Sequence, residues 1–541
     1  MSSTIARVHR LGRLFGALAF TLLYAVAAHS VAPEQIRDLA LGESDQKIDA
    51  IAALVASGND GALALLQSLA DGEIQTSGEH VLRVKDKKAF DLVTGKAVDP
   101  IPQSLDDVVL NNRVRRELGT AIAALKLGSA DHAVRLAAAK ELQRGAADAM
   151  LPAIRRAQEH EQDPEIKGLL TLARSTIELA SDDKATRIGA IRALAESRDP
   201  NTKMLLLPLV EKKGAELAEA DAEVRAEAEA SLRAIDSRLA TGEMIGRVFS
   251  GVSLGSILLL AALGLAITYG LMGVINMAHG ELIMIGAYAT YVVQNLFRSH
   301  LPGVFDFYLV AAVPVAFCAS AVVGMALERS VIRFLYGRPL ETLLATWGIS
   351  LVLIQATRTL FGAQNVQVEN PAWMSGGVEL MANVVLPYSR IVIILFAAAV
   401  VGLVALLLTR TRLGLFVRGV TQNRLMASAL GVPTGRVDTY AFGLGSGIAG
   451  LAGCALSQIG NVGPDLGQSY IVDSFMVVVL GGVGQLAGTV YAALGLGIVN
   501  KFLEAWSGAV LAKIAVLVFI IVFIQKRPQG LFALKGRMAD A

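Results

Sequence analysis

The most polar stretch in the apolar half of this 541-residue chain is 275–281, where Asn276, His279 and Glu281 interrupt long hydrophobic runs. Polar and ionisable side chains are costly at membrane depth, and they usually face a bundle interior or a water-filled cavity. The Asn276 amide offers both a donor and an acceptor, whereas His279 has no second metal ligand at suitable spacing. We therefore expect a discontinuous segment that lines a solute path. The alternative is an ordinary inter-helix turn at the membrane surface, where all three side chains would be solvated.

A second candidate site is a basic segment between two apolar runs, which begins with Arg410, Arg412 and Arg418. The pattern predicts a short amphipathic helix after it, with Thr421 as the N-cap and Leu430 at the end. Because short loops rich in arginine and lysine are retained in the cytoplasm, we expect this helix to dock onto a cytoplasmic partner.

Two small residues are expected to form the docking face of this helix. Ala427 and Gly431 are four positions apart, which places two residues on one side of a helix. Small residues on an exposed face allow a partner to approach the backbone closely. The alternative is that Gly431 only ends the helix and that Ala427 only fills space.

The composition indicates a membrane protein, since 54% of the residues are hydrophobic and the mean hydropathy is +0.53. A net charge of only +2 gives no indication of nucleic-acid binding. The two cysteines, Cys318 and Cys454, both fall in apolar runs, so neither a disulfide framework nor a cysteine-based metal site is expected.

The amino-terminal part predicts a targeting segment and a separate domain. Residues 1–28 have the pattern of a secretory signal with cleavage after Ala28; the alternative is an uncleaved anchor helix. Residues 29–245 are predicted to form a mostly helical periplasmic domain. A weak repeat of 131–138 in 183–190 suggests stacked helix pairs of the HEAT kind. The segment 73–100 breaks the helical pattern and predicts a small hairpin. Apolar residues recur at helical spacing in 45–69, 114–127, 133–142, 166–179 and 185–194.

Residues 246–541 are predicted to form a membrane domain, so that the fold class is all-α with about eight to ten spans. Arginine and lysine concentrate in the loops 329–340 and 410–436 and in the carboxyl-terminal tail, which places these segments in the cytoplasm and residue 246 outside. The candidate spans are 248–271, 280–297, 307–328, 341–362, 386–409, 436–460, 470–486, 487–505 and 508–525.

The combination of motifs resembles the permeases of the branched-chain amino-acid and urea class of ABC importers. The docking helix, Leu425-Met426-Ala427-x-x-x-Gly431, is similar to the family's Glu-Ala-Ala-x-x-x-Gly coupling motif but departs from it at the first two positions. The likeness covers about residues 246–541. It is carried by Asn276-x-x-His279-Gly280-Glu281, Gly286-Ala287-Tyr288, Glu328-Arg329, Arg338-Pro339-Leu340, Thr346-x-Gly348-Ile349-Ser350, Leu480-Gly481-Gly482-Val483-Gly484, Gly488 and Arg527-Pro528-x-Gly530-Leu531.

This resemblance implies a multi-pass permease of the bacterial inner membrane, with its carboxyl terminus in the cytoplasm, and not an enzyme. Its partners would be ATPase subunits docked at Arg424, Ala427, Leu430 and Gly431, a second related permease and a periplasmic substrate-binding protein, within a lipid bilayer. No G-x-x-x-x-G-K-[ST] phosphate loop occurs in the sequence. The chain is therefore expected to hold no cofactor, and ATP would be hydrolysed on separate subunits.

The glycine pattern is better explained by helix packing than by nucleotide binding. Residues 445–450 formally match G-x-G-x-x-G, but no strand is predicted before them. Gly443 with Gly447, and Gly484 with Gly488, have the spacing that brings membrane helices close together.

Several functions remain open at this point. The long helical extension makes the chain resemble the urea members of the class most, and the path has few fixed charges; a branched-chain amino-acid permease is the alternative. An ATP-independent secondary transporter or channel would be expected to show inverted repeats. A receptor would need a larger cytoplasmic segment than the basic stub after Gln525. The outer domain would be a docking surface for the binding protein or a structural collar.

Overall fold

The computed structural model describes residues 31–532, apart from positions 59, 86–87, 103, 198, 200, 214–215, 218 and 382. The predicted signal at 1–28 lies outside the described residues. The chain divides into two compact units, Met1–Arg238 and Leu239–Ala541, whereas composition suggested a boundary at 245/246. The division falls within one helix, Ala222–Met272.

The first unit is mostly helical. The first predicted helical segment, 45–69, consists of two helices in the structure. Gly58 adopts φ +61° and ends the first of them. The helices described in this unit are α1 Pro33–Leu41, α2 Ser44–Ser57, α3 Asp60–Ala70, α4 Asn112–Lys126, α5 His132–Gly145, α6 Leu151–His160, α7 Pro164–Glu178, α8 Lys184–Glu196 and α9 Thr202–Val210, followed by the start of α10, Ala222–Met272.

A small antiparallel sheet interrupts these helices where the sequence predicts a hairpin. The hairpin is present, with Leu82 opposite Asp91, but it belongs to a five-stranded sheet of order β4-β3-β2-β1-β5. The strands are β1 Ile74–Ser77, β2 His80–Lys85, β3 Lys88–Asp91, β4 Ala97–Val98 and β5 Asp106–Asp107. A pair of two-residue strands, β6 Lys212–Lys213 and β7 Glu216–Leu217, follows α9.

Three helices of this unit begin in the same way. Asp131, Asp183 and Asp221 each accept a hydrogen bond from a backbone N–H of the helix that follows, at 2.8–2.9 Å. Four residues after each aspartate, an arginine donates to the two carbonyls that lie five and six residues before it, at 2.6–3.2 Å. These arginines are Arg135, Arg187 and Arg225. The repeat seen in the sequence at 131–138 and 183–190 therefore has a third copy at 221–225.

Two of these arginines also pair with a glutamate that lies just before a later helix. Arg135 pairs with Glu161 at 2.8 Å, and Arg187 pairs with Glu219 at 3.5 Å. Both glutamates lie two residues before the aspartate that caps the following helix. Recurring contacts of this kind join neighbours in stacked helical repeats, and they support the HEAT-like prediction.

The second unit is a helical bundle, and each of the nine predicted spans corresponds to a helix in the described part. Seven helices are long and apolar enough to cross a membrane by length and composition; α11 and α18 are not among them. The helices after α10 are α11 His279–His300, α12 Tyr308–Ser330, α13 Pro339–Phe361, α14 Tyr388–Arg410, α15 Arg412–Gln422, α16 Arg424–Ala429, α17 Thr434–Ser457, α18 Leu466–Gly481, α19 Leu486–Ser507 and α20 Ala509–Lys526. A hairpin of β8 Gly377–Met381 and β9 Val384–Pro387 precedes α14.

Helix α17 forms the centre of this bundle, because its glycines let α11 and α12 approach its backbone. A β-carbon at Gly443 would lie 2.7 Å from the side chain of Met325, and one at Gly447 would lie 2.4 Å from the ring of Phe317. Both glycines thus pack α17 against α12. By contrast, most of the apolar side chains of α14 and α20 face outward, as lipid-facing helices do.

The second predicted glycine pair is only partly helical. Gly488 lies in α19, where a β-carbon would come within 1.9 Å of the Gly481 carbonyl oxygen at the end of α18. Gly484 instead lies in the turn between these helices with φ +76°, so the two glycines do not belong to one helix. The chain must reverse direction there, and a positive φ favours glycine.

Candidate functional site

The polar segment at 275–281 lies inside the bundle. Asn276, His279 and Glu281 are 2%, 0% and 1% exposed, so the alternative of a solvated turn does not describe this segment. The backbone from Gly273 to Ala278 is not helical. Non-helical backbone at membrane depth occurs where it is buried in protein or lines a cavity.

This segment folds back along α10, so that α11 begins in the interior. The Nε2 atom of His279 lies 3.0 Å from the carbonyl oxygen of Ala261. Ala261 lies eleven residues before Met272, the last residue of α10, which corresponds to a depth of about 16 Å at 1.5 Å per residue. The amino-terminal end of α11 is therefore about three helical turns away from the end of α10.

Helix α18 begins next to the amino-terminal end of α11. A β-carbon at Gly280 would lie 2.6 Å from the carbonyl oxygen of Gly467, and one at Gly467 would lie 2.2 Å from that of Gly280. These glycines belong to the first turns of α11 and α18. Two helix amino termini, each with a partial positive charge, thus meet inside the bundle.

Glu281 lies in the first turn of α11 and faces α13. Its Oε1 atom accepts a hydrogen bond from the Ser350 hydroxyl at 2.8 Å. Its Oε2 atom is buried and has no hydrogen-bond partner. One turn earlier on α13, the Thr346 hydroxyl accepts from the backbone N–H of Met277 at 3.1 Å. The irregular segment and Glu281 are therefore both held by one face of α13.

The three predicted path residues have different hydrogen-bond partners. His279 faces α10, and its Nδ1 atom has no partner. The Oδ1 atom of Asn276 accepts from the backbone N–H of Ala278 at 3.0 Å, while its Nδ2 atom is buried without a partner. Of the three side chains, only that of Glu281 is bound by α13 and keeps an acceptor oxygen, Oε2, without a partner.

Three polar residues of this face, Thr346, Ser350 and Tyr288, entered the sequence-based prediction only as parts of motifs. Thr346 and Ser350 were noted as part of a motif, but their spacing of four residues in an apolar helix is the signal that places both toward α11. Tyr288 is two turns after Glu281 on α11, its ring stacks on Phe361 at 4.6 Å, and its buried hydroxyl has no partner. Within the described residues, no group of three or more potential metal ligands comes together.

The predicted docking helix is present, with a different start. It is α16, and Asn423 is its N-cap, whose side chain accepts from the N–H of Met426 at 2.9 Å. Thr421, the predicted cap, lies inside the preceding helix α15. The break at Asn423 (φ −154°, ψ 104°) separates the two helices, and both a threonine and an asparagine satisfy the capping preference.

The predicted small-residue face of α16 is wrong. Ala427 is buried against the bundle at 7% exposure, and Gly431 lies past the helix end with φ +84°. The N–H of Val432 donates to the carbonyl of Ala427, and the N–H of Gly431 to that of Ser428, both at 3.0 Å. This pattern is a Schellman motif, so Gly431 acts as a helix stop.

The residues that α16 does present are large and apolar. Leu425, Met426 and Leu430 are 84%, 59% and 79% exposed. Arg424, in contrast, turns back and pairs with Asp438 of α17. A protruding apolar helix that is anchored by its arginine is suited to enter a groove on a partner.

The chain belongs to the family described as "Branched-chain amino acid transport system / permease component", which matches residues 247–525. It is 27% identical over 291 residues to the high-affinity branched-chain amino acid transport system permease protein BraD of Pseudomonas aeruginosa. That alignment covers 53% of this chain and 94% of the relative.

Two further relatives carry similar names. The permease protein LivH of the high-affinity branched-chain amino acid transport system of Escherichia coli K12 is 28% identical over 294 residues, with 53% of this chain and 94% of the relative covered. A probable branched-chain amino acid transport permease protein LivH of Methanocaldococcus jannaschii is 25% identical over 300 residues, with 51% and 88% covered. No solved structure matches this chain. The family and its helices define the chain as a multi-pass membrane permease.

Proposed function

We propose that this chain is the permease subunit of an ATP-driven importer for an amino acid with a branched apolar side chain. The observation that carries this proposal is Glu281, a buried carboxylate with an unpartnered oxygen beside two helix amino termini. A zwitterion needs an acceptor for its ammonium group and a positive potential for its carboxylate. Glu281 supplies the first, and the ends of α11 and α18 supply the second.

Energy would come from separate ATPase subunits that dock on α16. The sequence holds no phosphate-binding loop of the Walker type, and the exposed Leu425, Met426 and Leu430 form a compact apolar projection. These three exposed residues replace the predicted contact set of Arg424, Ala427, Leu430 and Gly431. A substrate-binding protein and a second related permease complete the proposed assembly, as the resemblance implies.

The proposed orientation is supported by the charge distribution. Arginines are concentrated next to α15 and α16 and in the loop before α13, and this end of the bundle is proposed to face the cytoplasm. Residues 29–245 would then lie on the periplasmic side of a bacterial inner membrane, behind a signal at 1–28. An uptake that persists after ATP depletion would contradict the ATP-driven assignment.

Urea is the second candidate substrate. The long helical part before the membrane region favours it by resemblance, and urea also has donors and an acceptor that Glu281 and Asn276 could serve. The relatives, however, are named for branched-chain amino acids.

The experiment compares uptake of labelled leucine and labelled urea in a strain that lacks this chain and in the same strain complemented with it. Loss of leucine uptake with unchanged urea uptake supports the proposal, and the reverse pattern would replace it by urea. Complementation with Glu281→Gln should fail for the transported solute. Glu379→Gln, which changes an exposed glutamate of β8, is the matched control and should complement fully.

A further inference from the structure

A buried polar cluster lies where the ends of α12 and α17 meet. Glu328, at 0% exposure, accepts a hydrogen bond from the Thr439 hydroxyl at 2.7 Å and another from the Tyr336 hydroxyl at 3.0 Å. The guanidinium of Arg333 lies 3.4 Å from both carboxylate oxygens. The carboxylate therefore accepts from donors of α17 and of the segment that follows α12.

A second buried carboxylate, that of Asp438, lies on α17 next to Thr439. Asp438, also 0% exposed, pairs with Arg424, the first residue of the docking helix α16. The Arg424 guanidinium also lies over the ring of Tyr336, 5.1 Å from its centroid. Tyr336 thus links the two carboxylates. Its ring contacts Arg424, the partner of Asp438, and its hydroxyl donates to Glu328.

The cluster connects the docking helix to the centre of the bundle. Asp438 lies in the first turns of α17, and the same helix crosses α11 further along. There a β-carbon at Gly286 would lie 2.1 Å from the Gly450 carbonyl oxygen. Glu281 lies in the first turn of α11, so α17 and α11 together connect α16 with the proposed solute site.

We propose that Arg424, Asp438, Tyr336 and Glu328 form a relay that transmits movement of the docking helix to α17 and α12. Separating a buried ion pair leaves an uncompensated charge, which costs several kcal/mol. When α16 is displaced, the Arg424–Asp438 pair therefore stays intact, and α17 moves together with α16. This inference rests on the proposed function, in which α16 is the ATPase contact, and the four side chains act as positioning residues.

The test uses the full chain purified in membranes together with its ATPase subunits. Tyr336→Phe removes the hydroxyl and keeps the ring under Arg424, while Asp438→Asn removes the charge and keeps the size. Tyr440→Phe is the matched control, since Tyr440 lies on α17 with 57% of its surface exposed. Retention of the ATPase subunits, ATP hydrolysis and solute uptake are measured for each variant.

Both relay variants should retain the ATPase subunits and hydrolyse ATP, while the uptake per ATP falls about fivefold or more, the usual range of a coupling between sites. The double variant should fall by less than the product of the two single effects, because both act on one network. Tyr440→Phe should match the wild type.

Two results would overturn the relay. One is normal uptake per ATP in both variants with the ATPase bound, which leaves the proposed function intact. The other is loss of ATPase binding in Tyr336→Phe, which would make the cluster a part of the docking surface only. If the wild-type chain itself retains no ATPase, the proposed function fails, and the relay fails with it.

Discussion

Replacement of Gly286 by alanine tests the packing at the centre of the bundle. A β-carbon at this position would lie 2.1 Å from the carbonyl oxygen of Gly450 and 2.4 Å from its Cα atom. Ordinary contacts of a β-carbon begin at 3.4 Å, so α11 and α17 would have to separate by about 1.3 Å at a close-packed crossing. Such overpacking costs about 1–3 kcal/mol.

The control is Gly348→Ala on α13, where a β-carbon would have no atom within 4 Å. In detergent or nanodiscs, the melting temperature should fall by about 3–9 °C for Gly286→Ala, at about 3 °C per kcal/mol. It should stay unchanged or rise slightly for the control, since alanine favours a helix. Uptake should also fall in Gly286→Ala alone. Equal melting temperatures for the two variants would refute the close α11–α17 crossing.

Three other predictions follow from single contacts. Gly431→Val should lower uptake and α16 helicity, because φ +84° costs a non-glycine residue about 1–2 kcal/mol; Gly431→Asn should retain more of both, and equal loss would contradict the Schellman assignment. Ser350→Ala should reduce uptake about fivefold or more, because the Oε1 atom of Glu281 then loses its partner and neither carboxylate oxygen has one; unchanged uptake would remove this face from the path. The Arg135 hydrogen bond holds the pKa of Glu161 below its ordinary 4.5, so its stabilisation is present above that pH and is lost as the pH falls through the lowered value. Hydrogen exchange near Glu161 should therefore be faster in Glu161→Gln than in wild type at neutral pH, with a difference that narrows in acid; a gap of constant size would contradict the pairing.

Periodicity and hydrophobicity predicted the elements of the bundle well. All nine predicted spans correspond to helices because a spanning helix satisfies its own backbone and must be apolar over its length. The family resemblance was equally visible, since the family match covers residues 247–525 and most of the quoted motifs lie within that range.

The errors arose where the outcome depends on contacts outside a local window. The helical pattern gave Ala427 and Gly431 a common face, but it could not show that Ala427 packs inward or that Gly431 follows the helix end. Gly484 and Gly488 have the spacing of a helical seam, yet a turn separates them. In each case, the prediction assumed one continuous helix, whereas one residue of the pair lies outside it.

The interior site was only partly predictable. Asn276, His279 and Glu281 were visible as polar interruptions, but that His279 faces α10 while Glu281 faces α13 depends on how the chain folds back beside Ala261. Likewise, pairing of β1 with β5 extends the predicted hairpin into a sheet through strands about thirty residues apart. Contacts of this range leave no periodic signal in the sequence.

The most direct test of the central claim is site-directed labelling of α16. Leu425→Cys, at 84% exposure, is introduced into a chain in which Cys318 and Cys454 are serine. In sealed cells and inverted vesicles with the ATPase subunits present, this cysteine should react with a membrane-impermeant thiol reagent only from the cytoplasmic face, and it should cross-link to an ATPase subunit. Labelling from the outside, or labelling from the inside without any cross-link to an ATPase, would contradict the account.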